Sequence, residues 1–143
     1  MQTRDYVVIA NEMIHDVRIV PLDGRPHLAA GIRRWQGDPR GHWDGDTLVV
    51  ETTNFSDRTS FRGSDTHLRL VERFRRVDAK TLDYQFTVDD ASVFSRPWTV
   101  SLPMTTSDGP IYEYACHEGN YAMTGIPRRA RAGAGKVSSR PPA

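Results

Sequence analysis

The chain carries one cysteine, Cys116, in 143 residues. That excludes an intramolecular disulfide, and with it a zinc site built on several thiolates. No apolar run approaches the ~20 residues that a bilayer-spanning helix requires, so no membrane partner is expected. The first residues, Met1-Gln2-Thr3-Arg4-Asp5, lack the charged-then-apolar pattern of an export signal. Gly-rich phosphate loops, nucleophile elbows and dinucleotide fingerprints are also missing. Ser56, Ser60 and Ser64 have no partnered base in the sequence, which leaves a serine hydrolase without support. His15, His27, His42, His67 and His117 stand apart, with none of the short spacings that present two imidazoles to one ion. No metal or cofactor is expected.

Charge is nearly balanced, at a formal +1, but unevenly spread. Residues 127–143 hold five basic side chains and no acidic one, whereas the rest of the chain is net acidic. The alkaline isoelectric point is therefore a property of the tail, and no nucleic-acid partner is expected for the folded part. Rich in Gly, Pro, Ser and Arg, that tail has too little apolar surface to offset its ordering entropy and reads as disordered. Residues 1–126 read as a single β domain of ordinary composition, with 38% hydrophobic and 26% charged residues.

What the sequence does have is period-two alternation. Leu68, Leu70, Glu72 and Phe74 alternate with Arg69, Val71, Arg73 and Arg75. After the short polar stretch at 77–81, Leu82, Tyr84, Phe86 and Val88 alternate with Asp83, Gln85, Thr87 and Asp89. This predicts a β-hairpin with one apolar face. Its other face pairs Arg69, Arg73, Arg75 and Arg76 with Asp83, Asp89 and Asp90 across the strands. Strands are also predicted at 6–10, 17–20, 47–53, 98–102 and 111–116, the last two as a pair. Residues 24–42, rich in Gly, Pro and Arg, read as a long loop with one helical turn at 29–35. The predicted fold is all-β: an antiparallel β-sandwich or small lipocalin-like barrel of seven or eight strands.

Three stretches carry a family resemblance. They are His15-Asp16-Val17-Arg18-Ile19-Val20-Pro21-Leu22-Asp23-Gly24-Arg25-Pro26-His27, Trp43-Asp44-Gly45-Asp46-Thr47-Leu48-Val49-Val50-Glu51-Thr52 with Asn54-Phe55, and Phe86-Thr87-Val88-Asp89-Asp90. Together they resemble a large uncharacterised family of bacterial proteins that are often exported, over nearly all of residues 5–126. Members of that family look longer before the equivalent of Tyr6. The resemblance implies a periplasmic or secreted setting and names no activity.

Two groups of residues could carry chemistry. The stretch 112–121 concentrates Glu113, His117 and Glu118 with a thiol and three phenols at the end of a predicted strand. In an extended strand Glu113 and His117 lie about 13 Å apart, too far for a direct hydrogen bond. His117 and Glu118 could still act as an acid–base pair if the strand ends in a turn. The second group is aromatic, with Trp98 assigned to the core, Trp43 beside an Asp-Gly turn, and Trp35 expected to be exposed. His27 in the long loop has loop anchoring as its default role. The leading expectation is a domain binding a small molecule or sugar through His27, Trp35, Trp43, Glu113, His117 and Glu118. A lyase or hydrolase using His117 with Glu118 or Glu113 is the rival. A third alternative is a self-assembling subunit, joined through an exposed edge on the first strand.

Overall fold

A computed structural model describes residues 1–112. Met1–Ile111 form one compact unit, and it contains seven strands: β1 (Tyr6–Ala10), β2 (Val17–Pro21), β3 (Asp38–Asp44), β4 (Thr47–Thr53), β5 (Arg69–Arg76), β6 (Thr81–Asp89) and β7 (Trp98–Thr105). Strands β3 to β7 make a five-stranded antiparallel meander in sequence order, and β1 and β2 make a separate antiparallel hairpin. The fold is all-β and sandwich-like. Among the described residues the five-stranded sheet does not close into a barrel, because β3 and β7 remain its two edges.

The register shows how the alternation is used. Leu48 faces Phe74, and Phe74 in turn faces Tyr84 and then Leu102 along the same row. Two residues along the strands, another row runs Gly41, Val50, Glu72, Phe86 and Val100. Since partners within a row, and rows two residues apart along the strands, share a face, these rows define one apolar face, interrupted by Glu72. The opposite face carries Arg69, Arg73 and Arg75 with Glu51, Asp44 and Asp83.

Two packed clusters cover the apolar face. Val20 of the hairpin meets Leu48 and Val50, with Val7, Ile9, Leu22 and Phe74 around them. Phe55 and Leu68 from the β4–β5 connection meet Val88, with Phe86, Phe94 and Trp98 beside them. Gly41 makes the first cluster feasible: a Cβ there would stand 2.7 Å from Val20 Cγ1 and 2.8 Å from Leu22 Cδ2. Any side chain on Gly41 would lift the hairpin from the sheet.

Several sequence expectations are corrected. Residues 38–42 are strand rather than loop, because β3 pairs along its whole length with β4 despite Pro39 and Gly41. Pro39 is tolerated because β3 is an edge strand. No helical turn forms at 29–35; the chain makes two separate tight turns, closed by the Ile32 N–H donating to the Ala29 carbonyl and the Gly37 N–H donating to the Arg34 carbonyl. Ile111 and Tyr112 are not in a strand, and the described partner of β7 is β6. The remainder of the expected 111–116 strand lies outside the described residues. Arg76 lies opposite Leu82 on the apolar side of the register. Asp90 is buried and accepts from the Ser92 N–H and hydroxyl, so neither joins the charged face as expected.

The outer edge of β1 is not open as expected either. Met1 to Thr3 fold back along it, with the Val8 N–H donating to the Met1 carbonyl and the Met1 ammonium donating to the Val8 carbonyl.

Candidate functional site, a cleft beneath the hairpin

Among the described residues, Glu72 is the anomaly of the apolar face. It sits mid-strand on β5, 2% exposed, where alternation calls for a hydrophobe. An isolated carboxylate there would carry a desolvation penalty of several kcal/mol. Arg18 on β2 supplies the counter-charge with two parallel bonds, Nη1 to Oε2 at 2.6 Å and Nη2 to Oε1 at 3.0 Å. The Tyr84 hydroxyl, one strand over, donates to Oε1 at 2.8 Å. The paired guanidinium and carboxylate bolt the hairpin to the sheet across 54 residues of sequence.

This cluster is electrically neutral and well satisfied on its acceptor side. Burial opposes the charge on Arg18, yet the bonds to Glu72 and its negative charge outweigh burial and raise the guanidinium above its ordinary value. Burial, reinforced by the Glu72 charge and the bond to it, pushes the Tyr84 phenol well above its usual range. Tyr84 therefore stays a hydroxyl donor at any physiological pH. One donor is left over: Arg18 Nε is buried and has no hydrogen-bond partner among the described residues.

Arg18, Glu72 and Tyr84 stand in the wall of a cavity of about 720 Å³ between the hairpin and the sheet. The rest of that wall is mainly apolar, with Val7 and Ile9 from β1, Leu48, Phe74 and Leu82 from the sheet, and Met104 from β7. A mainly apolar chamber of this size with a few convergent polar groups has the general form of a small-molecule site. Nearby on the same face, Phe55, Phe61, Leu70, Tyr84 and Phe86 line a smaller aromatic recess of about 300 Å³. Tyr84 belongs to both.

Comparison with protein-family models, with curated proteins and with solved structures returned no match. The site must therefore be read from its own geometry.

The residues singled out in the sequence fall elsewhere. His27 stands beside the polar face, Nδ1 3.3 Å from Asp38 and Nε2 3.7 Å from Glu51. Asp38, fully buried, also accepts from the Leu28 N–H at 2.9 Å and from Arg40 at 2.8 Å. Burial would raise the Asp38 pKa, but the Leu28 and Arg40 bonds, the Arg40 charge and the His27 bond win, and its carboxyl lies below the usual range. His27 is held between two carboxylates and anchors the β2–β3 connection to the sheet, its default role.

Trp35 is 61% exposed, as expected of it. Its turn is clamped by the Arg34 N–H to Asn54, the Ser56 N–H to the Arg34 carbonyl, and the Thr59 hydroxyl to the Trp35 carbonyl at 2.5 Å. Gly37, at φ +70°, closes this turn, where a Cβ would meet the Thr53 carbonyl at 2.7 Å. Trp35 lines a groove of about 520 Å³ with Arg34, Val17 and Ile19, bordered by Arg18. Trp43 lies opposite Leu48 near the end of β3, about half exposed. Glu113, His117 and Glu118 lie outside the described residues. His27, Trp35 and Trp43 thus do not converge on one pocket. Among the described residues, no three His, Cys, Asp or Glu side chains gather as a metal site would need.

Sequence reasoning passed over Arg18. Its only signal is that Glu72 breaks the apolar face, which demands a counter-charge from somewhere; nothing local says that it comes from β2.

Proposed function

We propose that this domain binds small amphipathic organic molecules in the cleft between the β1–β2 hairpin and the sheet. The observation that carries the reading is the Arg18–Glu72–Tyr84 cluster, a buried charged group set into the mainly apolar wall of a cavity of about 720 Å³. Such a cluster stabilises a fold little compared with well-packed hydrophobes of the same volume. It gives the cavity one polar end and one apolar end, which matches a molecule built the same way. The family resemblance adds a periplasmic or secreted setting to this proposal.

A sugar ligand is the second reading, and it belongs to a different place. Trp35, exposed on a rigid turn and flanked by Arg34, offers a flat apolar face with hydrogen-bonding neighbours. One titration separates the two sites. N-phenyl-1-naphthylamine, a neutral apolar fluorophore, should brighten on binding the wild-type chain. Met104→Trp, which narrows the cleft from its exposed rim, should weaken that binding at least tenfold, and Trp35→Ala should leave it unchanged. Binding lost in Trp35→Ala and kept in Met104→Trp would move the site to the groove.

A further inference from the structure

We propose that the outer edge of β2 docks an extended peptide of another polypeptide, one in which apolar residues alternate with charged residues of both signs. Hydrogen bonds fix which way the strand faces. The Asn11 N–H donates to the Asp16 carbonyl and the Leu22 N–H to the Asp5 carbonyl, so Arg18 and Val20 are the β2 residues bonded to β1. The N–H and C=O groups of Val17 and Ile19 therefore point away from β1, and no described group meets them. The other edges are covered or interrupted. Met1 to Thr3 run along β1. In the larger sheet the Val77–Thr81 and Thr106–Lys80 bonds set the alternation, which puts Pro39 on β3 and Pro103 on β7 at outward positions where neither supplies an N–H. On β2 the proline, Pro21, stands at the far end and leaves residues 16–19 clear.

That clear stretch borders the groove of about 520 Å³ whose other wall holds Arg34, Trp35 and Pro39. No β1 residue lines the groove, so it lies on the outward side of β2. Val17, Ile19 and Trp35 are each more than half exposed, and hydrogen bonds hold the Trp35 turn. A strand laid in the groove would complete the backbone bonds of Val17 and Ile19 and cover these side chains. Charge then narrows the occupant. The Asp16 carboxylate has no cation within salt-bridge reach among the described residues. Arg34 comes only within 3.9 Å of Asp38, which already accepts from Arg40 and from the Leu28 N–H. Arg18 is neutralised by Glu72. One free carboxylate and one free guanidinium match a partner carrying both signs, and disfavour a polyanion or a polycation. Strand alternation in the guest supplies the rest: apolar residues beside Val17 and Ile19, charged residues on the face that Asp16 shares with Arg18.

The probe is the synthetic peptide acetyl-Thr-Val-Lys-Val-Glu-Val-Thr-amide, with a second peptide that exchanges its Lys and Glu to serve either strand direction. The tighter of the two should slow amide hydrogen exchange at Val17 and Ile19 in the full chain. N-methylating its valines, or separately its Lys and Glu, should weaken binding strongly in one case only, because a strand pairs through alternate residues. Replacing the peptide's Glu by Gln should weaken it about twofold to fivefold, and Arg34→Gln should erase that difference. Ile19→Pro removes an outward N–H and no bond to β1, and should weaken the peptide about threefold to tenfold. Should that variant unfold the hairpin, the N-methylated peptides and Arg34→Gln still decide the outcome. No protection at Val17 and Ile19, or equal losses for the two N-methylated peptides, would overturn the proposal. Shifts at Trp35 without that protection would overturn it too, leaving a platform for rings. A wild-type mass that doubles with concentration, and does not in Ile19→Pro, would overturn it by giving the edge to a second copy.

Discussion

Glu72 and Arg18 behave as a unit, and their mutational response should show it. Removing either alone leaves a buried charge without its partner. Arg18→Met or Glu72→Met is expected to destabilise the fold by about 3–5 kcal/mol in urea titrations, and the double variant should recover most of that loss. Additive losses would mean that the two charges are solvated independently. Asp38 makes a second prediction at this scale. Its folded carboxyl titrates below the usual range, against ~3.9 when unfolded. Its ionised form therefore contributes stability that is fully present above about pH 4 and is lost as pH falls through the lower folded value. Urea midpoints measured from pH 6 to pH 2 should drop less steeply in Asp38→Asn than in the wild type. Alternation alone shows that Glu72 is out of place on its face. It cannot show Arg18 opposite, because a bond across the fold leaves no trace in the spacing of either strand.

Strands were legible where side chains alternate and obscured where glycine and proline interrupt. β5 and β6 pair as the pattern dictates, from Arg69 opposite Asp89 to Arg76 opposite Leu82. β3 was hidden because Pro39 and Gly41 replace the apolar residues that would have marked its inward face, and both have reasons. Pro39 sits in an edge strand, and Gly41 admits Val20 and Leu22. The β1–β2 connection holds a different kind of exception. Ile14, a β-branched and exposed residue, adopts φ +66° in the turn Met13–His15. An L-residue in that region gives up roughly 1–2 kcal/mol. Ile14→Gly should therefore raise stability by about 1 kcal/mol, read as a higher urea midpoint with an unchanged slope. A fall in the midpoint would show that the Ile14 side chain makes contacts worth more than the backbone strain.

At the scale of the described domain, the cleft arises because a two-stranded hairpin is too narrow to cover a five-stranded sheet. Val20 seals the sheet over β4, and Phe55 with Leu68 seals it over β6, leaving Phe74, Leu82, Tyr84 and Met104 facing the chamber. Leu102 and Met104 on β7 remain more than 40% exposed. Two-layer all-β architecture was legible from strand number and alternation, whereas the cleft was not, because it depends on which part of the apolar face the hairpin reaches. The aromatic and histidine residues that drew notice in the sequence are set on both faces and on the rim, where alternation and loop position put them.

The most direct test is a two-dimensional amide NMR titration with 2-decanone. The account predicts saturable shifts concentrated at Val7, Ile9, Arg18, Leu48, Phe74 and Tyr84, with His27 and Trp35 unmoved. Shifts centred on Trp35, or none at saturating ligand, would contradict it.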